Sequence, residues 1–204
     1  MWKTKTVRAF EDFEDVPAVY VDFEGDALAR DYWSFDVKPT GPYYTDATDR
    51  NDILETRVVH DGTNLYFLVT TKEDVTAYES GDNWMNILIK TEASTEDNSF
   101  AGYNFAVNRA PDGDKTTVER SAGGWNWEKT GEAEISVSGK YLTVTVPLSA
   151  LGLSSDNVKF SFKVADNVQK PGWYEADDPD HEVLHYYITG DSAPIGRLNY
   201  TYGY

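Results

Sequence analysis

The sequence predicts an all-β domain, an antiparallel sandwich of jelly-roll type with about nine or more short strands and long loops. Two observations support this prediction. Apolar and polar residues alternate with the period of two expected of half-buried strands, and helical periodicity is nearly absent. Clusters of turn residues separate the alternating segments at the spacing of hairpins.

The predicted strands are the segments in which this alternation is strongest and in which β-branched and aromatic residues are concentrated. They are Ala18 to Phe23, Ile53 to His60, Leu65 to Thr71, Trp84 to Thr91, Tyr103 to Asn108, Glu132 to Ser138, Tyr141 to Pro147, Val158 to Asp166 and Arg197 to Tyr202.

The turns between these segments predict how neighbouring strands pair. Asp61 to Asn64 and Ser138 to Lys140 each separate two alternating segments, which predicts two antiparallel hairpins. Pro147 followed by Ser149 and closed by Gly152 predicts one short helical turn.

The chain is predicted to form one domain, residues 1–204, with residues 1–52 as its loop-rich N-terminal part. No internal repeat, low-complexity tract or linker composition divides it. Three long segments lack alternation: Gly25 to Asp52, Thr91 to Gly102 and Asn167 to Glu182. Long loops on a rigid scaffold commonly carry function, so we expect ligand-contacting residues there.

Charge and cysteine content exclude several classes of partner and chemistry. Asp and Glu number 35 against 18 Lys and Arg, a formal charge of −17, which disfavours nucleic acid and anionic membrane surfaces. No apolar segment approaches the roughly 20 residues that a membrane-spanning helix needs. Because the chain has no cysteine, it has no disulfide, thiolate metal site or cysteine nucleophile.

Residues 181–185, His-Glu-Val-Leu-His, match the zinc-protease motif. That chemistry needs a helix, because only helical spacing places both imidazoles on one side of a zinc ion. Pro179 lies just upstream, Tyr186 to Gly190 predicts a strand and a turn, and no His or Glu follows as a third ligand. The segment is therefore predicted to be a loop entering a strand, and the domain is predicted not to be an enzyme.

Acidic residues at predicted strand ends suggest a structural metal ion. Asp74, Asp82 and Asp166 each lie where a strand meets a loop. Loops at such positions can bring carboxylate and backbone oxygens together around calcium, although the EF-hand spacing is absent. Calcium is the predicted cofactor, with solvated surface acids as the alternative.

Aromatic residues are abundant, with 14 tyrosines and 6 tryptophans. In the predicted strand from Trp84 to Thr91, Met85 lies on the core side, whereas Trp84 and Asn86 share the opposite, mixed face. Trp84 is thus either an exposed platform or a ring packed under a loop. Trp125 and Trp127 also share a face, and burial is favoured for that pair.

Four segments, in this order, resemble the family 9 carbohydrate-binding modules and the related DOMON-like sandwiches. The segments are Asp61 to Val69, Asp82 to Ile89, Tyr141 to Pro147 and Phe160 to Asn167. The closing segment, Gly190 to Tyr200, resembles a tail found on such modules at the ends of large bacterial glycan-processing proteins.

The resemblance implies a secreted, extracellular, monomeric module that binds oligo- or polysaccharide on aromatic side chains, often carries calcium, and is covalently linked to a catalytic domain. The side chains expected to contact carbohydrate are Trp84, Asn86, Trp173, Tyr174, Trp33 and Tyr187. The chain departs from the family where a second platform tryptophan is expected, since Asp191 to Pro194 stands there; Trp173 or Tyr187 would have to substitute.

Two alternatives remain open at this point. The first is a structural accessory domain that packs on a neighbouring catalytic domain and binds no ligand of its own. The second is a haem domain, which the sequence disfavours because Met85 is predicted to face the core and the histidines lie in a turn or an acidic loop.

Overall fold

The structure, a computed structural model, describes residues 12–26, 50–168, 190–196 and 198–204, together with the backbone of two short strands at 31–33 and 43–45. In these residues the strands are β1 (Ala18–Val21), β2 (Asp31–Trp33), β3 (Tyr43–Thr45), β4 (Ile53–His60), β5 (Asn64–Thr71), β6 (Asn86–Thr91), β7 (Phe105–Val107), β8 (Lys115–Ser121), β9 (Trp127–Ser138), β10 (Tyr141–Pro147), β11 (Phe160–Asp166), β12 (Asp191–Ala193) and β13 (Tyr200–Tyr202). Two 3₁₀ turns lie at Glu96–Asn98 and Leu148–Leu151.

Eleven strands form one antiparallel sheet in the order β1-β4-β5-β10-β9-β8-β7-β6-β11-β12, with β13 also paired to β11. The strands β2 and β3 pair separately. In the described part of the chain no element is an α-helix, and none is long and apolar enough to cross a membrane. The prediction of an all-β antiparallel fold is confirmed.

The long strand β9 folds this sheet into two layers. Its first part, from Trp127 to Glu134, pairs with β8, and its last part, from Glu134 to Ser138, pairs with β10. Gly131 lies in the first part, opposite Val118, where an added Cβ would come within 3.2 Å of the Ala150 Cβ. The main core, which contains Phe67, Val144 and Phe162, fills the space between the layers.

All nine predicted strands are present, and both predicted hairpins form. Asp61 accepts hydrogen bonds from the backbone N–H groups of Thr63 and Asn64, both at 2.8 Å, and stabilises the first hairpin turn. The predicted helical turn after Pro147 is the 3₁₀ turn, and Gly152 ends it at φ 66°. The strands β8 and β12 were not predicted, nor were β2 and β3, which lie in a segment expected to be loop.

The two edges of the folded sheet meet where β12 approaches β4. Here side chains, rather than a continuous strand ladder, join the segments: the Ile53 N–H donates to Asp191 Oδ2 at 2.7 Å, and the Tyr200 hydroxyl donates to the Val21 carbonyl at 2.9 Å. We call this region, around Val21, Ile53, Asp191 and Tyr200, the seam.

Candidate functional site

The predicted platform Trp84 is buried, so that prediction is wrong. Its side chain is 3% exposed, belongs to the main core, and donates its indole N–H to the Thr76 carbonyl at 2.8 Å. The cause is Met85, whose φ of 46° breaks the alternation, so Trp84 and Met85 both join the core. A ring enclosed in this way has no free face for a sugar.

Asn86 is also buried, at 3% exposure, and its Oδ1 has no hydrogen-bond partner. Asn108, fully buried just after β7, likewise has an unpaired Oδ1, while its Nδ2 donates to the Met85 carbonyl at 3.0 Å. Residues beside them in β6 and β7, Leu88 and Ala106, form a second hydrophobic cluster on the outer side of this layer. The face on which the sequence places Trp84 and Asn86 is therefore covered rather than open.

The other predicted carbohydrate contacts lie in segments whose side chains are not among the described ones. Trp173, Tyr174 and Tyr187 lie outside the described residues, as does the 181–185 motif. Trp33 lies in β2, of which only the backbone is described.

Two of the three predicted calcium ligands converge, but around an arginine. The Arg50 guanidinium donates from Nε to Asp166 Oδ2 at 2.9 Å and from Nη1 to Asp82 Oδ2 at 3.0 Å. Asp74 is exposed and lies beside the Gly139 turn. Calcium with Asp74, Asp82 or Asp166 among its ligands stays a prediction, and in the structure a guanidinium lies between two of these carboxylates.

A different group of acids could hold a cation. Among the described residues, oxygens of Asp22, Asp26 and Asp191 lie within 4.8 Å of one another at the seam. One of them, Asp22 Oδ2, is buried without a hydrogen-bond partner. Burial raises the pKa of the Asp22 carboxyl to about 7, and the charge of Asp26 acts in the same direction. Three carboxylate ligands suit a hard cation such as calcium.

A buried ammonium group competes with any such cation. Lys163 is fully buried and donates to the Pro194 carbonyl. Burial lowers the pKa of Lys163 to about 7, against the opposing charges of Asp22 and Asp191. The seam thus combines three acids with one amine whose charge depends on pH near neutrality.

A cluster of aromatic side chains lies at the start of β9. The ring of Trp125 packs against Phe100 with centroids 4.7 Å apart, and Trp127 packs against the second hydrophobic cluster. Trp125 is 38% exposed, so the expectation of burial is wrong for this residue, whereas Trp127 is partly buried. The buried indole Nε1 of Trp127 has no hydrogen-bond partner.

An ion pair borders these rings. The guanidinium carbon of Arg109 lies 5.1 Å from the Trp125 ring centroid and 5.8 Å from that of Trp127. Arg109 Nη1 donates to Glu119 Oε2 at 2.5 Å, and Thr117 donates to the other carboxylate oxygen at 2.6 Å. These side chains define the aromatic surface: Trp125, Trp127, Arg109 and Glu119. It joins apolar ring area to charged donors and acceptors, which is chemistry for binding a polar ligand rather than transforming one.

Sequence reasoning paired Trp125 with Trp127 but missed Arg109 and Glu119. No sequence signal indicated them, because Glu119 lies in β8, which was not predicted, and its pairing with Lys129, two residues beyond Trp127, is known only from the folded sheet. Comparisons of this chain with protein-family models, with curated proteins and with solved structures gave no match.

Proposed function

We propose that this chain is a non-catalytic carbohydrate-binding module of a larger, secreted bacterial glycan-processing protein, and that it binds glycan on the aromatic surface. The observation that supports this site best is the exposed ring of Trp125 beside an arginine–carboxylate pair. The sequence resemblance and the all-β antiparallel fold are in keeping with the proposal.

The aromatic surface has the two kinds of group that sugars require. The C–H face of a pyranose packs on an indole ring, and burying about 70 Å² in this way contributes roughly 2 kcal/mol. Arg109 supplies hydrogen-bond donors and has 24% of its side chain exposed, whereas Glu119 is buried, with 10% of its side chain exposed, and orients Arg109 through their ion pair. One platform with a few hydrogen bonds corresponds to a Kd on the order of 10 μM to 1 mM.

The test is a glycan panel measured at millimolar protein by affinity electrophoresis and calorimetry. The panel should include soluble oligosaccharides and insoluble polysaccharides. We expect at least one glycan to bind and to protect the Trp125 side chain from acrylamide quenching of its fluorescence. Uniform absence of binding across the panel would refute the proposal.

A structural accessory role is the second candidate, and a separate observation favours it. Apolar side chains are exposed along the edge strand β1 and just after it. Val19, Val21 and Phe23 are 40%, 70% and 76% exposed. An exposed apolar edge of this kind suits packing against a neighbouring catalytic domain.

The two candidates predict different effects of the same substitutions. If the domain is only an accessory, Val21→Ser with Phe23→Ser should weaken its attachment to the parent protein, while no glycan binds. If it is a binding module, that variant should bind glycan as the unmodified domain does.

A further inference from the structure

Arg50, Asp82 and Asp166 connect three separate parts of the fold. Arg50 precedes β4, Asp82 lies in the loop before β6, and Asp166 ends β11. The Asp166 side chain is fully buried, whereas 21% of Arg50 and 33% of Asp82 is exposed. The acids at these strand ends are thus gathered around a cation that the chain itself supplies.

We infer that Arg50 is the resident cation of this end of the domain, that it stands where the sequence predicts calcium, and that it excludes metal from the site. This inference is independent of whether the domain binds glycan.

Most of the carboxylate oxygens that calcium would need already accept hydrogen bonds. Asp166 Oδ2 accepts from Arg50 Nε, and Asp166 Oδ1 accepts from the Met85 backbone N–H at 2.9 Å. Arg50 Nη1 donates to the Asp82 carboxylate, and Nη2 lies 3.5 Å from the Asn83 carbonyl oxygen. Calcium takes six to eight oxygen ligands, and here three of the four carboxylate oxygens of Asp82 and Asp166 accept from N–H groups instead.

The positive charge of Arg50 also opposes the binding of a metal cation at this site. A divalent ion among these oxygens would lie within a few ångströms of a guanidinium, and like charges repel strongly in a partly buried site. Burial lowers the pKa of Arg50, but its hydrogen bonds and charge interactions with Asp166 and Asp82 outweigh burial and raise it above the ordinary value. The arginine therefore stays charged at every pH at which the protein is folded.

Neighbouring backbone contacts show what Arg50 holds in place. The Asn167 N–H donates to the Asn83 carbonyl at 2.7 Å, and Asn83 Nδ2 donates to the Val168 carbonyl at 2.6 Å. Like the contacts of Arg50, these bonds join the loop before β6 to the end of β11. Removing Arg50 would leave the fully buried Asp166 without its counter-charge, and a buried charge that loses its partner is strongly destabilising.

The first experiment compares melting temperatures of Arg50→Met, Arg50→Lys and a control, Lys129→Met, in EDTA. Lys129 pairs with the exposed Glu132 at 2.9 Å, so its loss should lower the melting temperature by at most about 4 °C. Arg50→Met should lower it by roughly 6–20 °C. Arg50→Lys keeps the charge but not the two-pronged geometry, and we expect an intermediate value, which stays measurable if Arg50→Met does not fold.

The second experiment asks whether calcium reaches this site in the unmodified protein. Asp82→Asn removes one carboxylate from the cluster, and we expect the calcium-dependent change in melting temperature to be the same in this variant and in the unmodified protein. Calorimetric titration with calcium should likewise give equal stoichiometry for both. The inference is overturned if Asp82→Asn abolishes a calcium effect, or if Arg50→Lys and Arg50→Met both melt within about 2 °C of the unmodified protein, a change of at most roughly 1 kcal/mol.

Discussion

The indole rings of Trp125 and Trp127 meet at 89°, with centroids 5.5 Å apart. The two rings therefore form a corner rather than a flat strip. Trp127 forms the partly buried side of this corner and Trp125 the exposed side. Ligand binding and protein stability should consequently depend on different members of the pair.

Replacing Trp125 with alanine should weaken glycan binding with little effect on folding. Loss of a stacking contribution of roughly 2 kcal/mol corresponds to a Kd about 30-fold higher. Calorimetry with the glycan found in the panel measures this change, and a thermal melt checks that the variant is folded. Unchanged affinity in a folded Trp125→Ala variant would place the ligand elsewhere.

Trp84→Ala should have the opposite effects. Truncating a large aromatic side chain in a core costs roughly 3–5 kcal/mol, so the melting temperature should fall by about 6–20 °C. Because Trp84 is 3% exposed, the affinity of the remaining folded protein for glycan should not change. A stable Trp84→Ala variant that has lost binding would restore the platform role that the sequence predicts.

The seam should make stability depend on pH in two opposite ways. The pKa of the Asp22 carboxyl rises from 3.8 to about 7 on folding because it is buried, with Asp26 acting in the same direction. The folded protein then holds a proton that the unfolded chain releases, so this contribution to stability is lost as the pH rises from about 4 to about 7. Burial lowers the pKa of Lys163 from 10.5 to about 7, and its contribution is gained as the pH rises above about 7.

We therefore expect these two groups together to give a stability minimum near pH 7, measured by urea unfolding between about pH 4 and 10. Asp22→Asn should remove the decline on the acid side, and Lys163→Met should remove the rise on the basic side. Parallel pH profiles for Asp22→Asn and the unmodified protein would show that Asp22 is not the titrating group.

Calcium binding remains a prediction, and Asp22, Asp26 and Asp191 are where the structure allows it to be tested. Calcium at about 100 times its Kd would stabilise the folded state by roughly 2.7 kcal/mol, or about 5–10 °C in melting temperature. Asp26→Asn should abolish that shift, while the exposed Asp74→Ala serves as the control that should retain it. Equal melting temperatures with EDTA and with millimolar calcium would remove the metal from this account.

The fold was predictable where it depends on local chemistry. Alternation and turn residues identify hairpins such as the one around Asp61 to Asn64, because a single turn fixes both strands. The strand β8 was missed because Val118 is its one apolar residue, although Val118 is fully buried. Pairings such as β5 with β10 and β6 with β11 join distant segments, and no local pattern specifies them.

The candidate sites were harder to predict, for a related reason. The sequence places acids at strand ends, and in the structure Asp82 and Asp166 both contact Arg50, but Arg50 was given no partner because it lies in a segment without a pattern. Asp22 and Asp191 meet only because the two edges of the sheet approach each other at the seam. Trp84 was misplaced because the left-handed Met85 cannot be inferred from a period of two.

The strand β9 contributes backbone pairs to both layers of the sandwich, to β8 with its first part and to β10 with its last. Unfolding of either layer would break hydrogen bonds of β9, a strand that the other layer also needs. The two layers should therefore not behave as separable folding units. In hydrogen exchange, amides of β9 on either side of Glu134, where its partner changes from β8 to β10, should open with the same free energy, that of global unfolding. The strand would then couple a disturbance in one layer, such as ligand binding beside Trp127, to the rigidity of the other.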